Sequence, residues 1–224
     1  SGTDDTVVHR PVMTALQTYY GMFTNATTGG NVTTEFNIAS GHCFPTLSYG
    51  ETCSTSTGPY IGNCNYDGAG ASLNAIYGGL PHARGTMVAD NLMTFDQTQF
   101  VPQGRVAPLS LEQTGYIYVP TACKAAGTKC GYHINYHGCE QTLDDIGTDY
   151  VMHVGLNEWA ETNNIIVVYP QVKRTPMGSM SPMNPNGCWD WWGQFYTGAN
   201  YSVHTGPQMQ FSQKILAYVS GQSA

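Results

Sequence analysis

Charged side chains are scarce in this sequence of 224 residues, in which Asp, Glu, Lys and Arg together make up 10%. An average soluble protein has about 25%. Lys and Arg number only eight and the formal net charge is −7, so no basic stripe exists to neutralise the phosphates of a nucleic acid. The same balance disfavours an anionic membrane surface, and no apolar run approaches the roughly 20 residues that span a bilayer. We therefore expect neither nucleic acid nor a membrane as a partner.

Metal-binding cysteine patterns are also missing. The seven cysteines include no CxxC pair, and no cluster of Cys and His has the spacing of a zinc site. We therefore expect no metal and no cofactor. Two pairs, Cys53 with Cys64 and Cys123 with Cys130, are close enough in sequence to close short local loops, and we predict a disulfide in each.

Three Asn-x-Ser/Thr triplets, which begin at Asn25, Asn31 and Asn200, are sequons for N-glycosylation. Such triplets often arise by chance, so each alone is a weak signal. Together with the cysteines and the scarcity of lysine, they favour an oxidising, extracellular setting. We therefore expect a secreted protein.

Hydrophobic patterning predicts an α/β protein that forms one domain over residues 1–224. The segments with a helical pattern are 9–22, 70–77, 148–163 and 207–219. The segments with a strand pattern are 116–120, 131–137 and 164–170, with weaker signals at 32–38 and 93–95. The β-branched run at 164–170 is typical of a strand covered on both faces of a parallel sheet.

Two polar residues near the start have positions suited to acid–base chemistry. Asp5 is on a predicted loop, where a carboxylate can orient an imidazole by accepting its Nδ1 proton, although a simple polar turn is the alternative. His42 follows Gly41 and precedes a Pro-containing turn, which favours a loop from which a general base could reach a substrate. An ordinary surface histidine is the alternative there. His133 and His153 fall on a predicted strand and helix and are expected to be structural.

Two later motifs could contribute to a site. His137, Gly138 and Cys139 follow a predicted strand, and a turn there can present the backbone N–H of Cys139 to a developing oxyanion; a simple tight turn is the alternative. The run 184–193 contains three tryptophans, which could line a groove for an apolar substrate or form a packing cluster anchored by Cys188. These tryptophans are Trp189, Trp191 and Trp192.

Several of these segments together resemble a known family. The stretches GHCFPT, PYIGNCNYDGAG, HINYHGCEQ, NEWAETNNIIVVYPQ and NPNGCWDWWG are similar to those of secreted polyhydroxybutyrate depolymerases of the α/β-hydrolase superfamily. The likeness extends from about residue 1 to residue 215. Asp5 and His42 precede the His137-Gly138-Cys139 turn, and this order resembles the circularly permuted, fungal-like members.

The resemblance implies a fold and a set of roles. The fold is an α/β-hydrolase with a mostly parallel sheet flanked by helices. Asp5 would orient His42, His42 would be the general base, and the Cys139 N–H would contribute to the oxyanion hole. A Cys139–Cys188 disulfide would place the three tryptophans beside the site, where they would bind a polyester or a short-chain ester.

The sequence departs from the family in one respect: it contains no Gly-x-Ser-x-Gly elbow. The resemblance then implies that the chain is the part that follows the nucleophile. The serine is expected on a missing upstream segment or on a companion chain, for which Cys43 offers a disulfide partner. The predicted function is extracellular hydrolysis of carboxylic esters by a Ser-His-Asp mechanism. The alternative is an inactive relative that binds polymers or glycans or builds an extracellular assembly.

Overall fold

A computed structural model of the chain describes residues 1–24, 30–178, 183–193 and 199–221, without the side chains of 199 and 200. The chain divides into two compact units. The first unit contains Ser1–Leu80 and His153–Gly155, and the second contains Pro81–Met152 and Leu156–Ala224. Among the described residues, no helix combines the length and the apolar character needed to cross a bilayer.

The first unit contains a small parallel sheet, with one helix before it and one helix after it in sequence. Helix α1 is Arg10–Gly21, strands β1, β2 and β3 are Phe44–Thr46, Glu51–Thr52 and Ile61–Asn63, and helix α2 is Gly68–Tyr77. Strand β3 lies between β1 and β2 and is parallel to both. Ile61 in β3 and Leu73 in α2 are fully buried and anchor this unit.

Local sequence signals explain both helices. Pro11 lies in the first turn of α1, where its missing N–H costs no hydrogen bond. The Asp67 side chain accepts a hydrogen bond from Gly70 N (2.8 Å) and caps α2, which ends at Gly78 in a left-handed conformation with φ of 70°. The predicted helices at 9–22 and 70–77 are therefore confirmed.

The weak strand signal at 32–38 is wrong, because this segment forms no strand. Side chains bind two of its backbone groups. The Arg10 guanidinium donates to the Phe36 carbonyl and lies 4.8 Å from the centroid of the Phe36 ring. The Glu35 carboxylate accepts from Asn37 N (2.7 Å). These side-chain hydrogen bonds occupy backbone groups that a sheet ladder would otherwise use.

The second unit is built around a four-stranded sheet. Its strands are β4 (Leu92–Asp96), β5 (Thr114–Tyr118), β6 (Gly131–Ile134) and β7 (Ile165–Tyr169), in the order β4-β5-β7-β6. Its helices are α3 (Leu143–Ile146), α4 (Asp149–His153, which ends at the unit boundary), α5 (Leu156–Asn163) and α6 (Pro207–Ser220). Short 3₁₀ turns occupy Ala89–Asn91, Gln97–Phe100, Pro102–Gly104, Ala107–Leu109, Thr121–Lys124 and Ala199–Ser202.

Strand β7 is one of the two inner strands of this sheet. It pairs in parallel with β6 and antiparallel with β5, which pairs antiparallel with β4. Counting both units, three of the five strand pairings among the described residues are parallel. Val168 of β7 packs in one buried cluster with Phe211 and Ile215 of α6. The apolar run at 164–170 therefore forms a buried inner strand, as its pattern predicted.

The prediction of a single helix over 148–163 is wrong in one detail. The chain forms α4 and α5 with a break between them, where Gly155 has a φ of 90° that a right-handed helix cannot contain. The apolar pattern continues across the break, because Val151, Val154 and Leu156 are all buried. Periodicity alone therefore did not reveal the turn.

Three disulfides cross-link the described residues: Cys53–Cys64, Cys123–Cys130 and Cys139–Cys188. The first two are the local pairs expected from spacing, and the third is the pair that the resemblance implied. Cys43 keeps a free thiol and is partly buried. Burial raises the pKa of this thiol, and the nearby negative charge of Asp5 adds to the effect.

Candidate active site

A carboxylate and an imidazole meet in the first unit. Oδ2 of Asp5 lies 3.2 Å from Nδ1 of His42. Backbone hydrogen bonds bring the two segments together: Thr3 N donates to Ile38 O (2.8 Å), and Asp4 N donates to Ser40 O (3.2 Å). The start of the chain is thereby held against the residues that precede His42.

Two glycines make this close approach possible. A Cβ atom on Gly2 would lie 2.1 Å from the carbonyl oxygen of Ser40, and one on Gly41 would lie 2.5 Å from the carbonyl oxygen of Thr55. Real Cβ atoms cannot approach backbone atoms so closely. Glycine is therefore required on both sides of the contact, directly beside the segments that carry Asp5 and His42.

The Asp5 carboxylate is buried and well supplied with hydrogen bonds. Its Oδ1 accepts from Val7 N and Val8 N, both at 2.9 Å, while its Oδ2 faces His42. Burial raises the pKa of Asp5, but the hydrogen bonds from Val8, His42 and Val7 together outweigh it and hold the pKa below its usual range. Asp5 is therefore an anion at neutral pH that faces the imidazole.

His42 is half exposed, with 42% of its side chain accessible. Its backbone N–H donates to Ser56 Oγ (2.8 Å), and its ring meets the edge of Tyr60 with centroids 6.3 Å apart. Because Nδ1 faces Asp5, the tautomer with hydrogen on Nδ1 leaves Nε2 as an acceptor. Within the part of the chain that the structure describes, Nε2 has no hydrogen-bond partner. This arrangement can accept a proton at Nε2 while Asp5 stabilises the resulting cation.

The His137-Gly138-Cys139 turn lies in the second unit, just after β6. Gly138 N donates to Gln141 Oε1 (2.6 Å), and Glu140 N donates to Asn186 O (2.7 Å). The intervening Cys139 N–H has no acceptor among the described residues. An unpaired backbone N–H flanked by two fixed ones can donate to an incoming oxygen.

The three tryptophans differ in exposure. Trp189 is half buried and packs against Tyr136 and His137, with centroids 4.9 and 5.9 Å apart. Trp191 and Trp192 are 69% and 36% exposed and contact each other edge to face at 5.2 Å. Trp189 therefore belongs to the packing of the turn, while the other two present apolar rings to solvent.

Two polar residues that sequence reasoning missed hold these loops in place. Asn184 is fully buried, accepts from Cys188 N (2.9 Å) and donates to Cys188 O (2.8 Å), so it fixes the backbone at one end of the disulfide. Gln141 is 5% exposed and accepts from Gly138 N. Both lie inside the motifs HGCEQ and NPNGCW, whose polar positions were the available signal.

Of the three asparagines in the glycosylation sequons, one is described with its side chain. Asn31 is exposed, while Asn25 lies outside the described residues and the side chain of Asn200 is not described. Over the described ranges, no group of three or more His, Cys, Asp or Glu side chains is arranged to hold a metal ion.

Known proteins resemble the chain over nearly its whole length, although no family model matches it. It is 43% identical over 223 residues to a poly(3-hydroxybutyrate) depolymerase of Delftia acidovorans, covering 98% of this chain and 41% of that protein. It is 40% identical over 220 residues to a polyhydroxybutyrate depolymerase of Talaromyces funiculosus, covering 93% of this chain and 61% of that protein. The chain therefore spans about half the length of these curated relatives.

Two solved structures are also similar. The crystal structure of a PHB depolymerase from Penicillium funiculosum has a TM-score of 0.82 and 38% identity, covering 99% of this chain and 70% of that one. A PHB depolymerase in which a serine is replaced by alanine, in complex with an R3HB trimer, has a TM-score of 0.83 with the same identity and coverage.

Proposed function

Because the chain belongs to the polyhydroxybutyrate depolymerase family, we propose that it acts in the extracellular hydrolysis of carboxylic esters, with short-chain polyhydroxyalkanoates as substrates. The observation that carries the proposal is the pairing of a buried, ionised Asp5 with a half-exposed His42 whose Nε2 has no hydrogen-bond partner among the described residues. Such a pair is the acid–base half of a serine hydrolase.

In the proposed mechanism, His42 is the general base. Its Nε2 takes the proton from a serine hydroxyl as the oxygen attacks the ester carbonyl, and later gives that proton to the leaving alkoxide. Asp5 keeps the Nδ1–H tautomer and stabilises the imidazolium that forms. A water molecule, activated by the same nitrogen, then hydrolyses the acyl-enzyme.

The second unit has two proposed roles in this reaction. The Cys139 N–H donates to the oxyanion of the tetrahedral intermediate, which is supported by its lack of another acceptor among the described residues. Trp191 and Trp192 contact the methyl groups of the polyester through their exposed rings, while Trp189, which packs against Tyr136 and His137, supports the turn.

The nucleophile of this proposal is a serine outside these 224 residues, because the sequence contains no Gly-x-Ser-x-Gly elbow. It would lie on a preceding segment or on a companion chain, and the free thiol of Cys43 could join such a chain by a disulfide. Support comes from the relative solved with an R3HB trimer, in which a serine is replaced. Secretion is supported by the three disulfides, which persist in oxidising compartments.

The test uses the intact protein that carries this chain, assayed with p-nitrophenyl butyrate and with polyhydroxybutyrate film. We expect ester hydrolysis that falls by about 10²–10⁴-fold in His42→Ala, while His204→Ala, an exposed histidine, keeps full activity. Full activity in His42→Ala would remove this residue from the site. A wild-type protein that adsorbs to film without hydrolysing any ester would instead support the inactive, polymer-binding alternative.

The origin of the nucleophile is tested by intact mass and by gel electrophoresis with and without reductant. A second polypeptide released only on reduction would support a companion chain bound through Cys43. A single longer polypeptide would support a preceding segment and contradict the companion.

A further inference from the structure

The buried ring of His137 makes two hydrogen bonds that together define its tautomer. Only 2% of His137 is exposed. Its Nε2 lies 3.3 Å from Val172 N, and its Nδ1 lies 2.7 Å from the carbonyl oxygen of Gly138. Because the Val172 N–H can only donate, Nε2 is an acceptor and carries no hydrogen. The hydrogen is therefore on Nδ1, which donates to Gly138 O.

This bond acts on the peptide unit that joins Gly138 to Cys139. The peptide is trans, so its carbonyl and its N–H point in opposite directions. By holding the Gly138 carbonyl on one side, the His137 ring directs the Cys139 N–H to the other. That N–H has no acceptor among the described residues. The orientation of the proposed oxyanion donor thus depends on a hydrogen bond made by a different residue.

Neighbouring groups hold the ring and the peptide in this relation. The His137 ring lies 5.9 Å from the Trp189 ring and 6.3 Å from the Tyr150 ring, measured between centroids. Gln141 Oε1 accepts from Gly138 N at 2.6 Å, and the Cys139–Cys188 disulfide restrains the far side of the peptide. The Gln141 bond acts on the preceding peptide, so among the described residues His137 alone binds the carbonyl of the Gly138–Cys139 peptide.

We propose that His137 is a positioning residue, whose Nδ1–H holds the Gly138 carbonyl so that the Cys139 N–H is aimed at the oxyanion. The inference rests on the proposed function, since it needs an oxyanion to stabilise. It assigns to His137 a role that packing alone does not require, because a phenyl ring would fill the same space without making either bond.

The neutral form of the ring is needed for this role. Protonation of Nε2 would break the bond from Val172 N, because both nitrogens would then be donors. Burial lowers the pKa of His137, and the Gly138 carbonyl and the Asp145 carboxylate oppose this without reversing it. Tyr150 is the other titratable group against the ring, and burial raises its pKa well above its usual range, so it stays neutral.

Two substitutions of His137 test its two hydrogen bonds one at a time. In His137→Asn the side-chain NH₂ can occupy the place of Nδ1 and donate to Gly138 O, but nothing reaches Val172 N. In His137→Gln the side-chain oxygen can accept from Val172 N, but the donor to Gly138 O is lost. Each variant loses one buried hydrogen bond, so we expect the two variants to have similar free energies of unfolding. His137→Phe loses both bonds.

The first measurement is kcat and KM of the intact protein on a soluble ester, together with the melting temperature of each variant. Loss of a whole oxyanion donor lowers kcat by about 10²–10³-fold, and a misdirected donor should lower it by about 10–10²-fold. We expect that fall in His137→Gln and His137→Phe with KM nearly unchanged, and we expect His137→Asn to stay within about 3-fold of wild type. Equal kcat values in the Asn and Gln variants, or values that follow the melting temperatures alone, would overturn the inference.

The second measurement is ¹⁵N NMR of the imidazole nitrogens, which does not depend on activity. We expect His137 to carry its hydrogen on Nδ1 and to have a pKa below the ordinary histidine value of 6.5. An Nε2–H tautomer would overturn the inference whatever the activity. A wild-type protein without esterase activity would overturn the proposed function and the role with it. An active wild type with an equally active His137→Gln variant would overturn only this inference.

Discussion

Asp5 and His42 are in contact, with Oδ2 and Nδ1 3.2 Å apart, although 37 positions of sequence separate them. The contact is between a buried side chain and a half-exposed one, since 5% of the Asp5 side chain and 42% of the His42 side chain are accessible. The carboxylate is thus shielded from water, while the imidazole keeps one edge open. A salt bridge that served only stability would gain little from this asymmetry, because exposed partners contribute weakly.

Replacing Asp5 by Asn removes the negative charge of the side chain but keeps its shape. The amide can still accept from Val7 N and Val8 N, but it no longer favours the Nδ1–H tautomer of His42. We expect kcat of the intact protein on a soluble ester to fall by about 10⁴-fold, as a wrong tautomer does in a triad. Asp4→Asn, at an exposed neighbouring carboxylate, should leave kcat unchanged.

The same variant has a pH signature. The folded-state pKa of Asp5 is below its ordinary value of 3.8, so the unfolded chain binds its proton first as the pH falls. The stabilisation is therefore complete above the ordinary value and is lost as the pH falls through the folded-state pKa. Denaturant unfolding at pH 7 and near pH 3 should show a smaller loss of stability in Asp5→Asn than in wild type. An equal loss in both would contradict the assignment.

Gly2→Ala should disturb the site through the backbone of the segment that carries Asp5. The new Cβ would lie 2.1 Å from Ser40 O, so residues 1–5 must move away from the segment that precedes His42. We expect the free energy of unfolding to fall by about 1–3 kcal/mol and kcat to fall with it. Gly21→Ala, where no atom of the described residues lies within 4 Å of the new Cβ, is the control and should change stability by less than about 1 kcal/mol. Equal effects of the two substitutions would show that the close approach is unimportant.

The Cys139–Cys188 disulfide should affect folding more than chemistry. It spans 49 positions, and loop-closure entropy predicts that its removal by Cys139→Ala with Cys188→Ala lowers the free energy of unfolding by ~4 kcal/mol. Removal of Cys123–Cys130, which spans 7 positions, should cost ~2 kcal/mol. Turnover well below the melting temperature should survive, because alanine keeps the backbone N–H. A stable double variant with no turnover would contradict this expectation.

Trp191→Ser should weaken adsorption to polyester more than it weakens catalysis. The side chain is 69% exposed, so its replacement removes apolar surface without creating a cavity. We expect less protein bound to polyhydroxybutyrate film at equal concentration, and a nearly unchanged kcat/KM on a soluble ester. Ile76→Ser, which replaces another apolar side chain that is 61% exposed, should bind film like wild type. Equal losses in both variants would indicate nonspecific adsorption.

Sequence reasoning succeeded where a local signal carried the structure. The end of helix α2 was predictable because Gly78 follows it, and β7 was predictable because its β-branched run suits burial on both faces. It failed over 148–163, where the apolar pattern runs through the turn at Gly155. It also failed to identify Asn184 and Gln141 as the side chains that support the loops, since a buried polar residue is recognised only by its partners.

By itself, the sequence determined the helices and strands with clear caps, the two short-range disulfides and the residue types available for acid–base chemistry. All of these depend on neighbours a few positions away, which a single chain displays directly. Tertiary structure decided which of those residues meet: Asp5 with His42, and Val172 with His137 across 35 positions. A carboxylate becomes a buried anion, and an imidazole a fixed tautomer, only when distant backbone groups donate to them, so their chemistry follows from the folded chain and not from local pattern.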